Sequence, residues 1–353
     1  MTWNIIEVKK LIPYVILVTG IFGLSFITSL FHFYDTFDLT FYFNACYYLL
    51  HGVLPYYRFI FPYPPLALLP MLLAYPSFPV IFGFEMLICQ FIILFCVYEI
   101  TLHIKPESAF LAALIYSLSL PVWFFTFTRY DSFVVALMML GFYFMIKQKY
   151  DHSLYLIVAA ICTKLFPVIL LPFLLFHSKF VIKTKLLIFV VIGVVLSVLL
   201  YPVTLSILSS DLPRSTYVNT FFYNLSSANP VVNAAVSLLF ALFLACIIIQ
   251  LFLYISDPTD YRLLRVILFL LVTLILILSY HSPQYILWVL PLMAILVSMQ
   301  DWKYHACYSI LCFLSFLEYP VFFGAYYVNS AQYTGWIPYF FILYYVIMMM
   351  VVI

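Results

Sequence analysis

At 353 residues, 67% of them hydrophobic and only 8% charged, the chain is too apolar for a water-soluble globule, and its formal net charge of +2 leaves no basic stripe for nucleic acid. The apolar runs are continuous rather than alternating, which excludes a β-barrel in practice. Hydrophobic stretches of about 20 residues recur along nearly the whole length, each enough to cross a bilayer.

The pattern predicts an all-α, polytopic transmembrane bundle of roughly 10–12 crossings. It forms one integral membrane domain over 1–353, with no soluble domain. The first crossing, about 11–31, follows Lys9 and Lys10. It is too long for a signal h-region and no small-x-small site follows it, so it reads as a retained helix. An outer segment over 32–65 comes next. Within it, Asp38 to Gly52 reads as a short helix lying in the membrane interface, with Asp38 as N-cap and Gly52 at C′. Tyr63-Pro64-Pro65 then sets a rigid extended lead into helix.

Crossings follow at about 78–102, 108–126 and 132–146. A short pair, about 153–164 and 165–177, has Lys164 at its tip; roughly 12 residues rise only about 18 Å, too little to span a bilayer. Beyond it come a crossing at about 186–208, a second outer segment over 209–230, and crossings at about 231–256, 263–280, 285–299, 304–326 and 337–353.

With the N-terminus in the cytoplasm, most Lys and Arg fall in alternate short loops on that side, the positive-inside pattern. Arg58, Arg129, Lys164 and Arg214 fall on or near the opposite face instead, with Asp35, Asp38, Asp131 and Asp211. Charges that topology does not require are the candidates for chemistry. Each has a plainer role beside it: capping for Asp38 and Asp131, pairing with Asp131 for Arg129, snorkelling for Lys164, lipid phosphates for Arg214. A carboxylate just outside the first crossing, Asp38 or Asp35, can take a proton from a hydroxyl. Lys164 and Arg129, with Arg58 or Arg214, can hold a phosphate. His281, Gln284 and Tyr285 offer donors and acceptors suited to hydroxyls, and Gln284 and Trp288 would share a helical face. The seven cysteines and seven histidines show no metal-ligand spacing, so no metal and no cofactor is expected, and the cysteines read as small buried apolar residues.

Three stretches together resemble the first-loop pattern of GT-C membrane glycosyltransferases: Asp38-x3-Tyr42, Gly52-x2-Pro55-Tyr56, and Phe61-x-Tyr63-Pro64-Pro65-Leu66. The likeness is greatest to the polyprenol-phosphate-mannose-dependent enzymes of glycosyltransferase family 87. Arg129-Tyr130-Asp131 and Gln284-Tyr285-x2-Trp288-x2-Pro291 also resemble the catalytic subunit of glycosylphosphatidylinositol mannosyltransferase I, and Lys164 with Pro167 resembles the Lys-x-x-Pro turn of these families. The chain departs from family 87 where a Gly-Gln-x-Asn-like segment gives way to Arg129-Tyr130-Asp131.

The resemblance implies a multi-pass membrane enzyme with its site on the non-cytoplasmic face. It implies inverting transfer of mannose from a polyprenyl- or dolichyl-phosphate donor to a glycan, glycolipid or protein acceptor. Asp38 would be the base; Lys164, Arg129, Arg58 and Arg214 would hold the donor phosphate; Asp131, Tyr63, His281, Gln284 and Tyr285 would contact sugar or acceptor. The membrane would be the plasma membrane of a prokaryote or the endoplasmic reticulum of a eukaryote, and a small membrane subunit is an allowed partner. A transporter or flippase for lipid-linked sugar is the rival reading. It is disfavoured because the unexplained charges cluster at the outer face and no paired halves with matching interruptions are visible.

Overall fold

Helices follow the apolar runs, and breaks fall where proline, glycine or a charge interrupts them. The computed structural model describes residues 5–30, 37–173 apart from 57 and 60, 258–277 and 282–322, with short helical pieces within 245–255 and 346–350. Among these residues every regular element is helical, and the one isolated bridge joins Pro55 to Phe59. The predicted crossing at 186–208, most of those at 231–256 and 337–353, and the outer segment 209–230 lie outside the described residues.

Two described helices are long and apolar enough to cross a membrane. One is Lys10–Ser29 within α1 (Ile5–Leu30). The other is α4 (Val80–Ile104), whose apolar side chains are spread over every face, with Glu85, Gln90, Glu99 and His103 set among them. Phe82, Met86, Ile93 and Val97 of α4 are buried, while Val80, Phe84, Ile88 and Phe95 stand exposed along a stripe. A stripe of large apolar side chains on a long helix is the surface that lipid covers at no cost.

The chain divides into two compact units. Met1–Tyr34, Val97–Phe124 and Pro213–Ile353 form the first. There α5 (Ala109–Ser117) packs on α1 and on α10 (Leu290–Val297). Its buried face is mostly small, Ala109, Ala112, Ala113 and Ser117 beside the one large residue Tyr116, which permits close approach of backbones along the first turns. The crossing predicted at 108–126 is broken: α5 ends at Ser117 and α6 (Leu120–Phe125) starts afresh. Pro121 has no N–H to donate to the Ser117 carbonyl four residues back, and Trp123 Nε1 satisfies that carbonyl instead, at 2.6 Å. The same unit holds α9 (Asp260–Ile277), α11 (Trp302–Phe316) and a segment after it, Leu317–Phe322, that kinks at extended Tyr319 (φ −143°, ψ 121°) and buries Glu318.

Asp35–Cys96 and Phe125–Leu212 form the second unit. It carries α2 (Phe37–Leu50), α3 (Leu68–Ala74), α7 (Asp131–Ile146) and α8 (Tyr150–Thr163). The C-terminus of α2 closes as expected: Gly52 takes φ 78°, and its N–H and that of Val53 donate to the carbonyls of Leu49 and Tyr48 at 3.1 and 2.9 Å. The N-terminus differs. The helix begins at Phe37, so Asp38 lies in its first turn and its side chain is committed elsewhere. Of the described cysteines, Cys46, Cys89, Cys96 and Cys312 are buried, as read from the sequence, while Cys162 and Cys307 are half-buried.

Helices α7 and α8 form an antiparallel hairpin. Its turn uses Gln148 at φ 59° in the place that usually takes glycine, with Lys149 N–H donating to the Phe144 carbonyl at 2.8 Å. Gln148→Gly removes the Cβ clash of the left-handed region and is expected to stabilise the protein by about 0.5–1 kcal/mol, read as a higher melting temperature in detergent. Mid-hairpin, the helices touch at Gly141, where an added Cβ would lie 2.6 Å from Ile157 Cδ1 and 2.8 Å from its Cγ1. Gly141→Leu forces α7 and α8 apart at a cost of about 1–3 kcal/mol, read as a lower melting temperature in detergent.

Candidate functional site

Three stretches of the second unit supply the site. The first is the start of α2, where Asp38 places its carboxylate one turn below Tyr42. The second is the loop after α2. It is held by Tyr56, a non-glycine residue at φ 70° whose hydroxyl donates to the Tyr63 carbonyl at 2.6 Å. A left-handed tyrosine is strained backbone, kept by its surroundings. Pro64 follows in extended conformation (φ −59°, ψ 157°), and Pro65 opens the 3-10 turn Pro65–Ala67 that packs against α8. The expected rigid lead-in is therefore present, and it fixes Tyr63.

The third stretch is the α7–α8 hairpin. Arg129, Tyr130 and Asp131 run into the N-terminus of α7, with Tyr130 at the cap and Asp131 as first helical residue. Lys164 follows the last residue of α8 in extended conformation (φ −155°, ψ 140°), before the 3-10 turn Phe166–Leu170 that holds Pro167. The hairpin thus brings Asp131 and Lys164 to its open end.

The ion pairs cross between stretches. Lys164 Nζ donates to Asp131 Oδ1 at 2.6 Å, with Asp131 fully buried and Lys164 12% exposed. Arg129 Nε lies 3.1 Å from Asp38 Oδ2, with side chains 4% and 19% exposed. Arg129 therefore reaches Asp38 on another helix, where the sequence suggested its near neighbour Asp131. Its Nη1 donates to the Thr128 carbonyl at 3.2 Å, and its guanidinium stands 5.9 Å from the Phe125 ring centroid.

Three tyrosines join the pairs. Tyr130 stands edge-on to Tyr42 (centroids 5.5 Å apart) and to Tyr63 (4.9 Å). Lys164 Nζ lies 5.2 Å from the Tyr130 centroid and 5.9 Å from that of Tyr63, within cation–π range. The Tyr42 hydroxyl donates to Asp38 Oδ2 at 3.5 Å. Burial first, and then the Asp38 carboxylate, push the Tyr42 phenol well above its usual value, so it remains a neutral donor. Behind this group, Gln90 of α4 donates to the Ser132 hydroxyl at 2.8 Å, both buried, locking the start of α7.

Asp38, Arg129, Tyr63, Asp131 and Lys164 are thus brought together. Arg58 is exposed on the loop, its N–H donating to the Leu54 carbonyl at 3.0 Å. Asp35, Arg214 and His281 lie outside the described residues. Gln284 and Tyr285 belong to the first unit, in a 3-10 turn, Pro283–Trp288. With three residues per turn, Tyr285 rather than Gln284 meets Trp288: the rings stack at 4.0 Å, and buried Gln284 instead accepts a hydrogen bond from Ser282 Oγ. Tyr42 and Tyr130 stand in the motifs Asp38-x3-Tyr42 and Arg129-Tyr130-Asp131, but the sequence reading gives neither a role; for Tyr42 the signal is its four-residue spacing from Asp38 on a helix. Among the described residues, no three His, Cys, Asp or Glu side chains gather as metal ligands would.

Neither a scan of protein-family models nor a search of curated proteins finds a match to this chain.

Proposed function

We propose that the protein is a multi-pass membrane glycosyltransferase. It moves a sugar, mannose by resemblance, from a polyprenyl- or dolichyl-phosphate donor to an acceptor hydroxyl at the non-cytoplasmic face. The observation that carries this reading is the joining of two carboxylate–cation pairs by three tyrosine rings, built from the same first-loop residues that resemble GT-C enzymes. The long apolar helices α1 and α4 and the lipid-compatible stripe of α4 support the membrane setting.

In this mechanism the acceptor O–H gives its proton to the Asp38 carboxylate. The acceptor oxygen bonds to the anomeric carbon from the face opposite the phosphate. The carbon–oxygen bond to phosphate breaks, its electron pair leaves on the phosphate oxygen, and the anomeric configuration inverts. Lys164 and Arg129 neutralise the charge that builds on that oxygen. Asp131, read from the sequence as a sugar contact, holds Lys164 in place.

The test is sugar transfer by the purified protein in lipid nanodiscs, with radiolabelled polyprenyl-phosphate mannose and an extract of host glycolipids and glycans. Labelled product from the parent protein supports the reading. Failure of the protein to bind donor at all overturns it in favour of a transporter.

A further inference from the structure

We infer that the lipid phosphate and Asp38 compete for Arg129, so that arrival of the donor releases the base toward the acceptor. This rests on the glycosyltransferase reading. Arg129, 4% exposed, holds Asp38 Oδ2 at 3.1 Å, which places the proposed base on the very cation that the donor phosphate needs. A guanidinium's fixed fork of donors suits a carboxylate and a phosphate alike. Out of water each anion's hold on it is strong, so one gains at the other's expense. A carboxylate held by a guanidinium takes up a proton less readily than one released from it. Donor binding would therefore make Asp38 a better base at the step that needs one, and would leave it a poor base without donor.

Tyr42 gives the exchange a fixed end. Its hydroxyl lies 3.5 Å from the same Oδ2, one turn along α2, and its ring is fully buried against Tyr130. When Arg129 turns to phosphate, Tyr42 keeps the carboxylate aimed. Tyr42 is thus a positioning residue, contacting neither phosphate nor sugar.

The two residues should shift phosphate affinity in opposite directions. The probe is radiolabelled polyprenyl phosphate, bound to the full-length protein in nanodiscs. Asp38→Asn removes the competitor and should bind about tenfold tighter than the parent, whereas Asp38→Glu, which keeps the charge, should stay within about twofold. Tyr42→Phe removes the tether, makes release of Asp38 costlier, and should bind about threefold weaker. Equal or weaker binding by a folded Asp38→Asn overturns the inference while leaving the glycosyltransferase reading intact. If Asp38→Asn unfolds, Tyr42→Phe decides: weaker binding supports the competition, and parental affinity overturns it. Failure of the parent to bind polyprenyl phosphate overturns both the inference and the reading beneath it.

Discussion

Asp38→Asn is expected to lower sugar transfer by about two to four orders of magnitude, the range a positioned general base supplies. The amide keeps the size of the side chain and an oxygen for the Tyr42 hydroxyl, but it cannot take up the acceptor's proton. Arg129 then loses its ion pair, and its nearly complete burial makes that loss felt in stability as well. The measurement must therefore separate turnover from folding: initial rates with labelled donor, beside a melting curve of the same preparation. Lost turnover with a retained melting transition identifies the base. Parental turnover removes Asp38 from the mechanism, and Asp35 becomes the residue to replace.

The second large effect is at Lys164. Lys164→Ala leaves the fully buried Asp131 carboxylate without the ammonium that Oδ1 accepts from, a change that costs about 3–5 kcal/mol in comparable buried pairs. Stability and transfer should both fall. The double replacement Lys164→Met with Asp131→Leu separates them, because an apolar pair of similar volume can replace a buried ion pair without loss of stability. Its melting temperature should return to near the parent's while transfer stays lost. Recovery of transfer in the double variant would reduce the Asp131–Lys164 pair to a structural tie.

Much of this arrangement is legible in the sequence, for physical reasons that can be named. Lys164 and Arg129 stand out because membrane topology does not explain them. The α2 helix is bounded by a glycine that only a left-handed C′ position needs, and the Tyr63-Pro64-Pro65 run admits little besides an extended lead-in. What the sequence hides is pairing. Whether Arg129 takes Asp131 or Asp38 depends on how α2 meets the start of α7, and periodicity carries no information about that. The joining of Tyr42, Tyr63 and Tyr130 is hidden for the same reason, among 31 tyrosines that could serve an interfacial belt. The Gln284 stretch departs from its expected α-helix for local reasons. Its apolar spacing fits an α-helix, and Pro283 and Pro291, each removing an N–H, favour the tighter turn found there. Gln148 in a glycine's place carries no sequence signal at all.

The two ion pairs also differ in how much chain each encloses. Asp131 and Lys164 are 33 residues apart and close a single hairpin, a local contact of the kind that forms quickly. Asp38 and Arg129 enclose a far longer stretch, including α3 and α4, and must wait for those helices to be in place. Both stretches have left the ribosome by the time the chain reaches Lys164, so chain order does not decide which pair forms first; loop length does, and it favours the hairpin pair. The Asp38–Arg129 pair, which closes the longer loop, is then the later of the two to form.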